Sequence, residues 1–294
     1  MVMDNFIVDE NFVKDMIKER PTDCNKGDFG RLLNIAGSAN YIGAAYLSSR
    51  AAQRCGVGYT VLLSTPRVCE SLISAMPGCV LLPVTEGENG GISSIGTEQI
   101  ERCLSKMTAV SIGCGMGDTA DTRRIMNFVL AKADCPVVID ADGINTLARD
   151  KRLLEKLSSE VVLTPHLGEL SRLLNIDVNI LKNNIHTISG EFAVRYGLTL
   201  LVKGSTTTVF SPNGEYYTSS SGCPGMAKAG SGDVLTGILG ALLAQGIKPK
   251  YAAACAAYIH GAAGSGAAAK YSQTAMLATD IINELPAFFL KIER

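Results

Sequence analysis

Short apolar runs alternate along this chain with longer segments whose apolar residues recur at helical spacing. That alternation predicts a mostly parallel sheet covered by helices. The strand candidates are Arg31–Ala36, Tyr59–Leu63, Cys79–Val84, Ala109–Ile112, Val137–Ile139, Val161–Leu163 and Leu198–Val202. Each is mainly apolar and short enough for a buried strand. Helical spacing marks Gly43–Cys55, Thr97–Lys106, Thr122–Lys132, Gly168–Leu174 and Asn179–Tyr196, and three further helical segments follow Gly232 through to Phe289. The series is interrupted by Thr206–Phe210 and Glu215–Thr218, which flank Ser211-Pro-Asn-Gly214 and read as a short antiparallel β-hairpin. The fold class is therefore α/β. No Pro/Ser-rich tract, low-complexity run or internal repeat marks a boundary, so residues 1–294 are expected to form one domain.

Composition narrows the function. With 294 residues, 47% hydrophobic and 19% charged, the chain can bury a large core. A net charge of −1 and the lack of a long basic run argue against nucleic acid or an anionic membrane as partner and favour a small-molecule ligand. The nine cysteines include no C-x-x-C pair and read as reduced thiols of a cytosolic protein. The first twenty residues carry acidic side chains where a secretory signal needs a basic head and an unbroken apolar core. The late apolar helices are interrupted by Gln245, Lys248, Lys250, His260 and Lys270, so none offers the roughly 20 uninterrupted apolar residues of a membrane span.

Ligands of open α/β sheets collect at the carboxyl ends of the strands, so the residues that follow each predicted strand are the candidates for chemistry. Gly37 to Ala45 is a small-residue turn that either touches a ligand with its backbone or packs a helix closely. Gly113-Cys-Gly115-Met-Gly117 lacks the spacing of the dinucleotide fingerprint, which argues against a Rossmann NAD site. Asp140-Ala-Asp142-Gly-Ile-Asn145 and Thr164-Pro-His166-Leu-Gly-Glu169 put three carboxylates, an amide and an imidazole on neighbouring loops, as an active-site rim would. Asp142 serves equally as a helix cap and Asp140 as a loop brace, against a phosphate or Mg²⁺ role for either. His166 follows a proline that would hold it at the mouth of the site, or it satisfies a backbone carbonyl; His186 and His260 read as ordinary helix residues. Lys203, Gly204, Ser205, Thr206 and Thr207 join a cation to hydroxyls that bind phosphate oxygens. They lack the leading glycines of a P-loop, and a surface lysine before a turn is the plainer alternative.

One segment carries the most information. Gly225-Met-Ala-Lys-Ala-Gly230-Ser231-Gly232-Asp233 runs straight into the apolar pattern Ile238 to Leu243, as a glycine-rich turn opening a helix does. Gly230, Ser231 and Gly232 then form an anion cradle, because the first helical N–H groups have no partner within the helix. A carboxylate at Asp233 repels an anion unless it acts chemically or the ligand brings cations, and the role of base for a hydroxyl nucleophile suits it. Offsetting the helix dipole is the simpler alternative.

In their order, Lys26–Arg31, Gly43–Ala45, Gly113–Gly117, Asp140–Asn145, Thr164–Glu169, Lys203–Thr207 and Ala229–Asp233 resemble the ribokinase-like superfamily. The closer resemblance is to the ADP- or ATP-dependent (S)-NAD(P)H-hydrate dehydratases. Tyr258–Gly261 and Met276–Asp280 resemble that family's closing helices, which help to wall the nucleotide pocket. The resemblance implies a three-layer α/β/α fold with a central, mostly parallel sheet. It implies phosphorylation of the hydrated nicotinamide ring by ADP or ATP, then loss of phosphate to restore NAD(P)H. Asp233 would be the base. Ala45, Gly115, Gly117, His166 and Asp233 would contact the hydrate, and Lys203 to Thr207 with Gly232 would hold the adenine nucleotide. Asp140, Asp142, Asn145 and Glu169 would support phosphate or Mg²⁺, with no direct protein ligand to the metal assigned.

A cytoplasmic homotetramer working with a separate epimerase is also implied. The chain departs from the family pattern at Cys114 and Leu167, where relatives usually have proline. It departs again at Cys223, where asparagine is common, and at Lys228, where threonine is often found. Two alternatives share the motif: a ribokinase-like kinase of a small vitamin-precursor alcohol, with a stable phosphorylated product, and a nucleotide-binding sensor, which the retained Asp233 argues against.

Overall fold

Alternate residues of the central strands point to opposite sides of one sheet, and both sides are covered. The computed structural model describes residues 4–87, 89–155 and 157–293. Its strands are β1 (Asn5–Ile7), β2 (Arg31–Ile35), β3 (Tyr59–Ser64), β4 (Val80–Pro83), β5 (Ala109–Ile112), β6 (Val137–Ile139), β7 (Val161–Leu163), β8 (Thr199–Val202), β9 (Thr207–Phe210) and β10 (Tyr216–Ser219). Their order across the sheet is β1-β10-β9-β8-β7-β6-β5-β2-β3-β4. Every pair from β8 to β4 is parallel, whereas β9 runs antiparallel to both β8 and β10.

The two-residue period sorts the core into layers. Leu32, Val138, Val162 and Leu201 pack on one side against helices Ile42–Arg54, Ser231–Ala244, Pro249–Ala275 and Ala278–Ile292. Leu33, Val137, Val161 and Leu200 pack on the other side, against helices that include Ala120–Lys132, Asp142–Arg149, Leu167–Leu174 and Ile185–Tyr196. This is a three-layer α/β/α architecture.

Helix Ser231–Ala244 sits at the heart of the first layer. Twelve of its 14 residues are buried, and the two that remain partly exposed are Gly232 and Asp233. Its packing is close: a Cβ at Gly237 would lie 2.1 Å from the Ser48 carbonyl oxygen of helix Ile42–Arg54. The apolar sequence from Val234 onward therefore serves as core on every side, and the polar end is left at the carboxyl edge of the sheet.

The anticipated strands agree with the observed ones to within two residues at each end. The strand β1 was not anticipated; it pairs in parallel with β10 through Asn5, Phe6 and Ile7, all exposed. The expected helix Asn179–Tyr196 is two helices, Val178–Asn183 and Ile185–Tyr196, broken at Asn184, whose φ of −126° and ψ of 27° are not helical. The long helix Pro249–Ala275 is interrupted at Ser272, where φ is 71°. All nine cysteines are free thiols. Among the described residues no helix is long and apolar enough to cross a membrane.

Candidate active site

Because β8, β7, β6, β5 and β2 are parallel neighbours in that order, the loops after them stand side by side at one edge, and the start of helix Ser231–Ala244 meets them. Gly230 caps that helix with φ 90°, and a Cβ there would lie 2.5 Å from Leu47 Cδ1, so the fold itself requires glycine. Gly232 differs. A Cβ at this helical position would meet only Lys203 Nζ at 3.5 Å and Asp140 Oδ2 at 3.8 Å, both ordinary contacts. Packing does not demand glycine at 232; its missing side chain leaves open space against the helix amides. The expected cradle changes in one respect, since the Ser231 amide donates to the Lys228 carbonyl at 3.3 Å. Ser231 and Gly232 line the cleft at this helix end.

Beneath this cradle lies a buried charge pair. Asp140 is 1% exposed; its Oδ1 accepts from Lys203 Nζ at 2.8 Å and its Oδ2 from Thr236 Oγ1 at 2.6 Å. Burial pushes the Asp140 carboxyl up, but the Lys203 charge and the bonds from Lys203 and Thr236 outweigh it and hold the group below its usual range. Glu169 Oε2 lies 3.7 Å from the same Lys203 Nζ. Lys203 is similarly displaced: burial opposes its charge, and Asp140 and Glu169 together hold its pKa above the ordinary value. The pair thus ties the end of β6 to the end of β8 and fixes the ammonium under Gly232.

Asp233 is tuned in the opposite sense. Burial pushes its carboxyl up to about 6, with Asp140 and Asp142 adding to the rise while the Cys114 thiol and Lys203 oppose it. A carboxyl at that value is ionised at neutral pH and readily takes up a proton.

The remaining anticipated residues divide into two groups. His166 caps helix Leu167–Leu174: its Nδ1 accepts from the Gly168 and Glu169 amides at 3.0 and 3.2 Å, while Glu169 Oε2 accepts from the His166 amide at 2.8 Å. Those two amides place the imidazole hydrogen on Nε2, and the side chain is 53% exposed at the mouth of the site. Asp142 Oδ2 accepts from the Gly117 amide at 2.8 Å and so ties the loop after β6 to the loop after β5. Asn145 Oδ1 accepts from Arg172 Nη2 at 3.2 Å.

Ala45 and Gly115 do not offer a surface. Ala45 is 0% exposed, inside the packing of helix Ile42–Arg54, and Gly115 is buried, with φ 64° and no room for a Cβ beside Tyr41 and Ala44. They shape the wall from behind.

Lys203, Gly204, Ser205 and Thr207 line a cleft of about 790 Å³ together with Ser231 and Gly232. Thr206 points elsewhere and pairs with Ser220 at 3.1 Å. A smaller cavity of about 380 Å³, between Ile17–Phe29 and Gln245–Ile247, lies at the opposite end of the strands and holds none of these groups. Two further residues line the larger cleft: His260, within the Tyr258–Gly261 stretch that resembles a wall of the nucleotide pocket, and Lys228, one of the departures from the family pattern. His260 has its Nε2 3.3 Å from Ser231 Oγ. Lys228 donates to the Thr274 and Met276 carbonyls at 2.6 and 2.5 Å, just past the break at Ser272.

A family profile described as NAD(P)H-hydrate dehydratase matches residues 32–287, which span the sheet from β2 onward and every residue of the site. The chain belongs to the NAD(P)H-hydrate dehydratase family. Among relatives of this family, the ADP-dependent (S)-NAD(P)H-hydrate dehydratase of Bacillus subtilis is 30% identical over 97% of this chain and 98% of its own. The bifunctional NAD(P)H-hydrate repair enzyme of Moorella thermoacetica is 35% identical over 95% of this chain but 53% of its own. The chain spans about half the length of such bifunctional relatives. The fold agrees with the dehydratase family too. The crystal structure of the ADP/ATP-dependent NAD(P)H-hydrate dehydratase of Bacillus subtilis, obtained with ATP and Mg²⁺, superposes with a TM-score of 0.86 at 28% identity, covering 99% of this chain and 100% of that one. A hydroxyethylthiazole kinase of Pyrococcus horikoshii, at 17% identity and a TM-score of 0.59, shares the fold alone.

Proposed function

We propose that this protein is an ADP- or ATP-dependent (S)-NAD(P)H-hydrate dehydratase in which residues 1–294 act as one catalytic domain. The observation that carries the reading is Asp233, held near 6 by burial at the open end of the helix, beside the space left by Gly232. The ionised Asp233 carboxylate takes the proton of the ring hydroxyl as that oxygen attacks the terminal phosphorus of the nucleotide. The bond from that phosphorus to its bridging oxygen breaks, and AMP or ADP departs. Amides at Gly230, Gly232 and Asp233 stabilise the charge on the moving phosphoryl group. Phosphate then leaves with its C–O electron pair as the ring nitrogen donates its own. Loss of a proton from the neighbouring carbon restores NAD(P)H.

Lys203 with Gly204, Ser205 and Thr207 is the nucleotide side of the site, Thr206 bracing that turn through Ser220, and His166 presents Nε2–H to the hydrate. Gly117 and Asp142 hold the loop opposite, with Ala45 and Gly115 behind it. Asp140, Asp142, Glu169 and Asp233 outnumber Lys203 at these loop ends, so a polyphosphate fits there only with a cation. Mg²⁺ brought with the nucleotide would supply that charge, with Asp140, Asp142, Asn145 and Glu169 as its surroundings and no direct protein ligand assigned. The free thiols support a reducing, cytoplasmic setting. A homotetramer is the assembly that the family resemblance implies. An epimerase that supplies the S form is the functional partner.

The test is to incubate the protein with NADH hydrate, Mg²⁺ and either ADP or ATP while following the near-ultraviolet absorbance of NADH. A dehydratase gives a rise with at least one nucleotide. A flat trace with both, together with phosphorylation of a vitamin-precursor alcohol, would refute the reading.

A further inference from the structure

His260 sits in helix Pro249–Ala275, 29 residues beyond Ser231 in sequence, yet its Nε2 lies 3.3 Å from Ser231 Oγ inside the cleft. Close packing fixes the contact: a Cβ at the adjacent Gly261 would lie 2.1 Å from Ser221 Oγ and 2.7 Å from the Gly222 amide, so this helix abuts the loop that floors the cleft. Ser231 is 6% exposed and its amide is already committed to the Lys228 carbonyl. Only its hydroxyl can serve a ligand. The direction of that hydroxyl depends on the imidazole. If Nε2 accepts, the Ser231 O–H is consumed and a lone pair faces the cleft; if Nε2–H donates, the Ser231 O–H is free to donate in turn.

An anion bound at the neighbouring amides favours the second arrangement, since every group pointing at it is then a donor. Resting on the dehydratase reading above, we propose that His260 is a positioning residue of the phosphoryl site, a neutral imidazole whose Nε2–H orients the Ser231 hydroxyl toward the phosphate nearest Asp233. Burial drives the His260 pKa down to about 4, with Lys203 adding to the fall, so the ring stays neutral through the physiological range.

The test measures ADP, ATP and adenosine binding by calorimetry in the presence of Mg²⁺ for the wild type, His260→Leu, His260→Gln, Ser231→Ala and the Ser231→Ala/His260→Leu pair. Glutamine can place an amide N–H near the position of Nε2. His260→Leu should weaken ADP by about tenfold or more while leaving adenosine unchanged. His260→Gln should stay within about threefold of the wild type, and the double variant should be no worse than Ser231→Ala alone. Equal weakening of ADP and adenosine, or additive losses in the double variant, would overturn the inference and assign His260 to the adenosine wall. A wild type with no affinity for either ADP or ATP would overturn the dehydratase reading itself, and this inference with it.

Discussion

Replacing Asp233 by asparagine should make the protein more stable and nearly inactive, and both effects come from the same burial. The carboxyl titrates near 6 in the folded chain against an ordinary value of 3.8, a difference of about two units. At about 1.4 kcal/mol per unit, the ionised side chain costs the native state up to ~3 kcal/mol. The sign follows from a folded pKa above the unfolded one. Below pH 3.8 both states hold the proton and no penalty exists; it accumulates between pH 3.8 and about 6 and is complete above that. Asparagine removes the penalty, so the gain should be full at pH 8 and mostly absent at about pH 4.5. For a chain of this size ~3 kcal/mol corresponds to about 5 °C or more in Tm. Thermal unfolding without nucleotide at both pH values reads the stability, and the NADH-hydrate assay reads turnover, where losing a base should cost about 100-fold or more. No gain at pH 8, an equal gain at both pH values, or near-normal turnover would each refute the reasoning.

Two further substitutions probe the neighbouring groups. Gly232→Ala adds a methyl that meets only ordinary contacts, so folding stability should hold or rise slightly while the Kd for ADP increases at least about tenfold; unchanged ADP binding in calorimetry would show that the space is not a ligand's. Lys203→Met strands Asp140 in the core without its counter-charge and should cost about 3–5 kcal/mol in denaturant melts at pH 7.5. Because Asp140 keeps a depressed pKa only while Lys203 is present, that deficit should shrink at pH 5 as the orphaned carboxyl takes up a proton, and a pH-independent deficit would contradict the assignment.

The strands were legible because two-sided burial writes itself as short apolar runs, such as Val137–Ile139 and Val161–Leu163. β1 was not, because each residue of Asn5–Ile7 stays exposed and the strand is defined by backbone pairing to a strand more than two hundred residues away. The break at Asn184 was hidden as well, since Ile180, Leu181, Ile185 and Ile188 keep a helical rhythm across it. In the site, Asp233 and Lys203 stood out because each charge is set among glycines and small hydroxyl residues at the end of an apolar element, where no solvated helix face accounts for it. The place of His260 on the pocket wall was legible only through the resemblance of Tyr258–Gly261; local pattern shows one more residue of an alanine-rich helix, and its contact with Ser231 comes from tertiary packing. The small size of Ala45 and Gly115 matches tight packing, Ala45 being fully buried and Gly115 having no room for a Cβ.

The enclosure of helix Ser231–Ala244 has a mechanical consequence. An element gripped on all flanks, with a neighbour's carbonyl oxygen where a methyl at Gly237 would otherwise stand, cannot tilt to embrace its ligand. The helix therefore serves as a fixed wall, and adjustment to a ligand falls to the loops that meet its open end.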